Sequence, residues 1–360
     1  MSINSRARAV LAVAAASALL AGCSTGGGTA DTKPAAKAKA QTINLVGFSA
    51  PEPANKAIAA AFNKTPEGKN VTFKTSYGAS GDQSRAVEGG LKADYVHFSV
   101  GTDVDRLVKA GLVAKDWDKG ANKGIVSTSV VVFGVRKGNP KHIKTWDDLI
   151  KPGVKIVTPN PASSGAARWN ALAAWGNITQ NGGSEADAIA YTDKLFKNVV
   201  SLTNSGRDAT TSFLGGTGDV LLAYENEAIL AAQNGQGFDY VIPETTIKIE
   251  NPGAELIKHT PATDAWLKFV ISKEGQKQFA LKGFRPIDDE TLADVGLTAS
   301  DIKGAQDPKD PFPKVKHLLT LDKDFGGWAG VKDKLFGDGK DGAPVGLVTT
   351  SIEKSGKAVQ

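Results

Sequence analysis

From Thr42 onward, short β-branched apolar runs alternate with stretches whose apolar residues recur every three or four positions. "TINLVGF" (42–48), "VTFKTSY" (71–77) and "DYVHFSV" (94–100) predict strands. Between and after them, "NKAIAAAFN" (55–63) puts Ile58, Ala61 and Phe62 on one helical face. "SGDQSRAVEGGL" (80–91) predicts a helix with Ser80 as its N-cap, and "DVDRLVKAG" (103–111) spaces Val104, Leu107 and Val108 for another. A second block follows the same rule. A helix capped by Thr145 ("WDDLI") precedes three strand-to-helix units: "VKIVTP" into "GAARWNALAAWG", "VVSL" into "NSGRDATTSFL", and "GDVLLA" into "YENEAILAAQ". The longer "STSVVVFGVRKGNP" (127–140) and "FDYVIPE" (238–244) predict two strands crossing between the blocks, and "DAWLKFVISKEGQKQFAL" (264–281) predicts a helix pair. The pattern predicts an α/β fold with a parallel or mixed sheet. Its expected lobes are residues 42–127 with 240–295, and residues 128–239, with 296–360 packing on both.

In such sheets ligands bind beyond the carboxyl ends of the strands. Three of the turns found there place small and hydroxyl residues at a helix start: Ser80-Gly81, Ser163-Ser164-Gly165-Ala166 and Ser205-Gly206. Tyr224 directly follows a fourth strand. Free N–H groups and the positive end of the dipole make a helix N-terminus a natural anion site, and a serine there is also an ordinary cap. Arg168 and Arg207 follow two of these turns, where each either supports an anion or sits in a surface ion pair. The acidic residues of "TWDDLI" and "YENEA" read as helix-start charges.

Composition narrows the choice. With 41% hydrophobic and 22% charged residues, the 360-residue chain reads as a globular protein with ample core. Arg6 and Arg8, then "AVLAVAAASALLAGC", read as a secretory signal ending in a lipobox-like Leu20-Ala21-Gly22-Cys23, which makes Cys23 the lipid-bearing residue. It is the only cysteine, which excludes a disulfide framework. Residues 24–41 lack large apolar side chains and read as a flexible tether. Removal of residues 1–22 lowers the formal charge from +5 to +3, with no dense basic run to support nucleic-acid binding. A serine hydrolase centred on Ser164 would need a GxSxG elbow, a histidine base and a carboxylate. Pro161-Ala162-Ser163-Ser164-Gly165 lacks the first glycine, and the spacing of His97, His142, His259 and His317 suggests neither a triad nor a metal site.

The segment 135–176, containing "NPASSGAAR", resembles the sulfate/thiosulfate-binding proteins of bacterial ABC importers. So do "SYGASGDQSRAVEGGLKADYV", "GDVLLAYENEA", "SKEGQKQFA" with "GFRPID", and "DKDFGGW". These matches keep a consistent order over nearly all of residues 42–328, and the "NPxSSGxAR" and "ENEA" motifs are specific. The resemblance implies a two-lobed, type II periplasmic-binding-protein fold that closes on one tetrahedral oxyanion, held by backbone N–H groups and neutral side chains. Residue by residue it implies contacts from Ser80, Ser164, Gly165, Ala166, Gly206 (aligned to within about one residue) and Tyr224. Ser49, Gly81, Ser163, Arg168, Ser205 and Arg207 would support them. Ala162 stands where the family usually has lysine, and Tyr224 where it usually has tryptophan; related molybdate-binding proteins use a tyrosine in a similar role. Sulfate carries no proton at neutral pH and asks for donors only, whereas hydrogen phosphate asks for an acceptor such as Asp82 or Asp208, which read instead as second-turn helix charges. The expectation is a monomeric, non-catalytic lipoprotein outside the cytoplasmic membrane. It needs no cofactor, and delivers sulfate or thiosulfate to a membrane permease. The alternatives are a binder of molybdate or another oxyanion, and a cell-envelope serine hydrolase.

Overall fold

The computed structural model describes residues 40–287, 290–340 and 344–358. The signal, Cys23 and most of the tether lie outside the described residues. The first block runs β1 (Gln41–Phe48), α1 (Glu52–Phe62), β2 (Val71–Gly78), α2 (Ser80–Glu88), β3 (Tyr95–His97) and α3 (Gly101–Lys109). The long strand β4 (Ile125–Val135) leads to α4 (Trp146–Leu149), β5 (Ile156–Pro159), α5 (Gly165–Thr179), α6 (Glu185–Asn198), β6 (Val199–Thr203), α7 (Gly206–Leu214), β7 (Val220–Tyr224) and α8 (Glu225–Gln233). The chain returns through β8 (Asp239–Val241), β9 (Thr245–Glu255), α9 (Ala262–Val270) and α10 (Lys273–Leu281), and ends with β10 (His317–Leu319), α11 (Leu321–Phe325), α12 (Gly327–Phe336) and α13 (Leu347–Lys354).

The strands lie in the order β2-β1-β3-β9-β4-β7-β5-β6, with β10 added to β9 and β8 to β4. β1, β2 and β3 are parallel, as are β7, β5 and β6; β9 and β4 join the two groups through antiparallel pairings. The β1–β3 group is sealed by α1, α9 and α10 through Ile43, Ile58, Phe62, Trp266 and Phe279, and by α2 and α3 through Val87, Val104 and Leu107. On the other group, Trp169, Leu172 and Leu195 of α5 and α6 cover one sheet face, and Phe213 and Ile229 of α7 and α8 the other. Two lobes joined by β4 and β9 follow, the architecture of a type II binding protein. α13 packs on α6, and Leu335 and Ile352 of α12 and α13 complete the α5–α6 core.

Three expectations change. "FDYVIPE" is not the second long crossing strand: β8 has only three residues, which pair with Phe133–Val135, and Pro243 has no N–H to extend the ladder. The crossing is β9, whose "ENPG" reads as a breaker. Pro252 sits where β9 leaves β4, beside a register shift between Ile125 and Ser127, and Gly253 already pairs with His97 of β3. Ser80 is not an N-cap but the first residue of α2; Ala79 holds the cap position without a side-chain bond. The helix α6 has no counterpart in the predicted set. Its capping box, Ser184 with Asp187, was a readable start signal.

Candidate anion site at converging helix N-termini

Four helices begin where their strands end, and their first turns meet in the cleft. Gly81 at the start of α2 donates its N–H to the Ser163 carbonyl at 2.9 Å, which joins the two lobes directly. A Cβ built on Gly206 at the start of α7 would lie 3.3 Å from Ala166 Cβ in the first turn of α5. A Cβ on Gly165 would lie 2.6 Å from Ser99 Oγ and 3.0 Å from Val100 Cγ1, so only glycine lets α5 come this close to the segment after β3. Ser99 Oγ in turn sits 2.6 Å from the hydroxyl of Tyr224, the N-cap residue of α8. The backbone amides of these first turns have no intrahelical acceptor.

Ser164 is the N-cap of α5, with extended backbone angles (φ −109°, ψ 119°), and its side chain makes no capping bond. Its N–H is spent on the Asn160 carbonyl at 2.8 Å, whereas its hydroxyl has no hydrogen-bond partner among the described residues. Tyr224 is buried, and burial pushes its phenol well above the ordinary range, so it stays protonated and able to donate. Asn251 of β9 donates to the Ser99 carbonyl at 3.0 Å and reaches the Tyr224 oxygen at 3.5 Å. Trp169 of α5 donates to the same carbonyl at 2.8 Å. Ser99 is therefore gripped from both lobes and from the connecting strand.

The remaining expected residues take unequal parts. The Ser80 hydroxyl is committed within its own lobe, donating to Asp103 Oδ2 at 2.6 Å and accepting the Ser99 N–H at 2.9 Å. Ser163 donates to the Asn204 carbonyl at 2.8 Å and braces α5 against the loop before α7. Ser205 caps α7 by accepting the Asp208 N–H. Ser49 closes the turn after β1 by donating its N–H to the Gly78 carbonyl at 3.0 Å.

The charges at the rim are paired. Arg207 makes a two-pronged ion pair with Glu227 at 2.8 and 2.9 Å and donates across the cleft to the Ala50 carbonyl at 3.1 Å. Arg168 donates to the Pro161 carbonyl and to Thr102 Oγ1, both at 3.0 Å. Burial pushes the Asp103 carboxyl up, a push the Arg168 guanidinium and the Ser80 hydroxyl oppose. Asp82 is held by Arg85 and, from the other lobe, by Asn204 Nδ2, and Asp208 by Ser205, so both carboxylates are already engaged. Glu225 and Glu227 are not simple helix-start charges. Both are buried, Glu225 fully, and Arg285 grips Glu225 at 2.7 and 3.0 Å, pinning the segment after α10 to α8.

His97 is buried with its ring nitrogens 3.2 Å from Asn55 Oδ1 and 3.1 Å from Ser127 Oγ; among the described residues no histidine hydrogen-bonds Ser164. The sequence reading missed Ser99, Asn251 and Asp103. Ser99 follows β3, which ends at His97, but the predicted strand runs on to Val100 and encloses it, so a search beyond strand ends passes it over. Asn251 carried no signal, because the stretch between 244 and 264 predicts no element.

This arrangement defines a class: a two-lobed α/β protein whose helix N-termini face one another between the lobes, with no histidine bonded to Ser164 among the described residues. A family model described as bacterial extracellular solute-binding protein matches residues 43–285. A sulfate-binding protein from Synechococcus elongatus is 42% identical, over 82% of this chain and 84% of its own length. A thiosulfate-binding protein from Pseudomonas aeruginosa is 40% identical, over 77% and 82%. Among solved structures, the sulfate-binding protein SubI from Mycobacterium tuberculosis superposes with a TM-score of 0.75 at 44% identity, over 82% of this chain and 99% of that one. The chain belongs to the bacterial extracellular solute-binding proteins.

Proposed function

We propose that the protein captures sulfate, with thiosulfate as a second ligand of the same site, and passes it to the membrane permease of an ABC importer. The observation that carries this reading is a lining of N–H and hydroxyl groups in which no carboxylate is free. Ser164 Oγ, the first-turn amides of α5 and α7, Ser99 and Tyr224 face one another, while the nearest carboxylates, Asp103, Asp82, Asp208 and Glu227, already hold partners. An unprotonated dianion is satisfied by donors, whereas the proton of hydrogen phosphate is met best by a free carboxylate, and the nearest ones are already engaged. Ser164, Gly165, Ala166, Gly206 and Tyr224 are the contacts we assign. Ser80 contributes through the backbone of α2 and orders Ser99 through its hydroxyl. About six charge-assisted hydrogen bonds, each worth about 1.5–3 kcal/mol, supply the affinity. The names of the relatives support the choice of ligand.

The protein works by lobe closure rather than catalysis, as a monomer held on the outer face of the cell membrane through lipidated Cys23. We assign residues 42–127 to the first lobe. Because β8 still pairs with the second lobe's end of β4, the return crossing falls within β9 rather than at residue 240. Calorimetric titration with sulfate, thiosulfate, molybdate and phosphate tests the reading. Tight binding of sulfate with no heat from phosphate is expected, and a preference for phosphate or molybdate overturns it. Release of a Cys23→Ala variant from the membrane fraction tests the anchor.

A further inference from the structure

Away from the cleft, three potential metal ligands come together where β9 ends. Glu255 closes β9, His259 stands in the following loop and Asp264 lies in the first turn of α9; one ligand atom of each falls within 4.8 Å of the other two. His259 Nδ1 lies 2.5 Å from the Leu256 carbonyl, which can only accept, so Nδ1 carries the hydrogen. That bond turns Nε2 toward the carboxylates, 3.2 Å from Asp264 Oδ1. With Nδ1 protonated, a neutral ring presents a lone pair at Nε2 to another acceptor. The contact then calls for a cation between the two, a proton or a metal ion. Glu255 adds a second signal: its Oε1 is buried and has no hydrogen-bond partner among the described residues. Lys268, one turn beyond Asp264, is exposed; its charge reaches Glu255 through space, but it makes no ion pair with either carboxylate among the described residues.

We propose that Glu255, His259 and Asp264 form a divalent transition-metal site, with Zn2+ the ion that best fits one imidazole nitrogen and two carboxylates. Ligands about 2.0–2.1 Å from a tetrahedral zinc lie about 3.3 Å apart, close to the observed spacing of Nε2 and Oδ1. An imidazole ligand selects against calcium and magnesium, which favour all-oxygen shells. The bond from Nδ1–H to a backbone carbonyl is the usual outer support of a metal-bound histidine. The loop is held independently of any metal: the Leu256 N–H donates to the Asp94 carbonyl, Ile257 N–H to the Leu112 carbonyl, and Thr260 N–H to Asp94 Oδ1. Water fills the fourth position.

The site lies at the opposite end of β1 from the cleft. Thr260 Oγ1 donates to the Thr42 carbonyl and Gln41 Oε1 accepts the Ala262 N–H, whereas just past the other end the Ala50 carbonyl accepts from Arg207 across the cleft; eight strand residues span roughly 23 Å. Metal binding and sulfate binding are therefore separable.

The test is titration of the untagged full-length chain with ZnCl2, followed by calorimetry and by the visible spectrum of the Co2+ form. One ion per chain with a four-coordinate cobalt spectrum is expected. The variants His259→Ala and Asp264→Asn should each lose at least about tenfold in zinc affinity while keeping sulfate affinity within about twofold, which also reports that they fold. Sub-stoichiometric zinc, or zinc affinity unchanged in His259→Ala, overturns the proposal and leaves a protonated His259 paired with Asp264.

Discussion

Gly165→Ala isolates lobe closure from folding. Gly165 opens α5 in the second lobe, and an added methyl would meet Ser99 Cβ and Oγ at 2.6 Å and Val100 Cγ1 at 3.0 Å, all in the first lobe. Real Cβ atoms do not approach so closely, so either the lobes stand apart or Ser99 swings away from Tyr224. Overpacking of this kind costs about 1–3 kcal/mol, and here the cost falls on the closed form alone. An open form has no atoms across the cleft to clash with, and alanine suits a helix better than glycine. Sulfate affinity should therefore fall about 5- to 150-fold, by the rule of tenfold per 1.4 kcal/mol, while the ligand-free melting temperature stays level or rises. Calorimetry measures the first effect and thermal unfolding without sulfate the second. Small-angle scattering should show less sulfate-induced compaction than in the parent. Affinity within twofold of the parent would refute the placement of Ser99 against α5; a large drop in ligand-free stability would refute the claim that the clash belongs to closure.

Tyr224→Phe removes one donor and leaves Ser99 and Asn251 short of a partner, so sulfate affinity should drop about 10- to 150-fold, for about 1.5–3 kcal/mol, in calorimetry. An unchanged affinity would remove the phenol from the site. Arg285→Met strands the fully buried Glu225 and should cost about 3–5 kcal/mol in urea unfolding. The double variant with Glu225→Met should recover much of that loss, and equal losses would contradict the account. Burial pushes the imidazole of His97 down to about 3. The unfolded chain therefore binds a proton below about pH 6.5 that the folded chain refuses, and stability should fall with pH from there toward 3. The loss is about 2 kcal/mol between pH 6.5 and 5. His97→Asn should flatten that slope in urea unfolding measured across the window, and an unaltered slope would assign the acid sensitivity elsewhere.

The alternation of apolar periods was enough to read the α/β class, most of the elements from β1 to α8 with α6 missed, and the turns where helices begin. Each of those features depends on residues close together in the chain: hydrophobic spacing, caps and small residues at helix starts. The local signals failed where a distant neighbour decided the outcome. β9 is a strand through Asn251-Pro252-Gly253 because β4 pairs one part of it and β3 the other, and Pro252 sits where the partner changes. Glu225 and Glu227 look like surface charges until Arg285 and Arg207, distant in sequence, meet them in the interior. Which hydroxyls are free is likewise a tertiary fact. Ser80, Ser163 and Ser205 are all serines at helix starts, yet their hydroxyls are spent on Asp103, Asn204 and Asp208, while that of Ser164 has no hydrogen-bond partner among the described residues. The sequence by itself determined which backbone ends could hold an anion. Only the fold decided which of them face each other across the lobes, because hydrogen-bond partners are assigned by proximity in space, and proximity is set by packing.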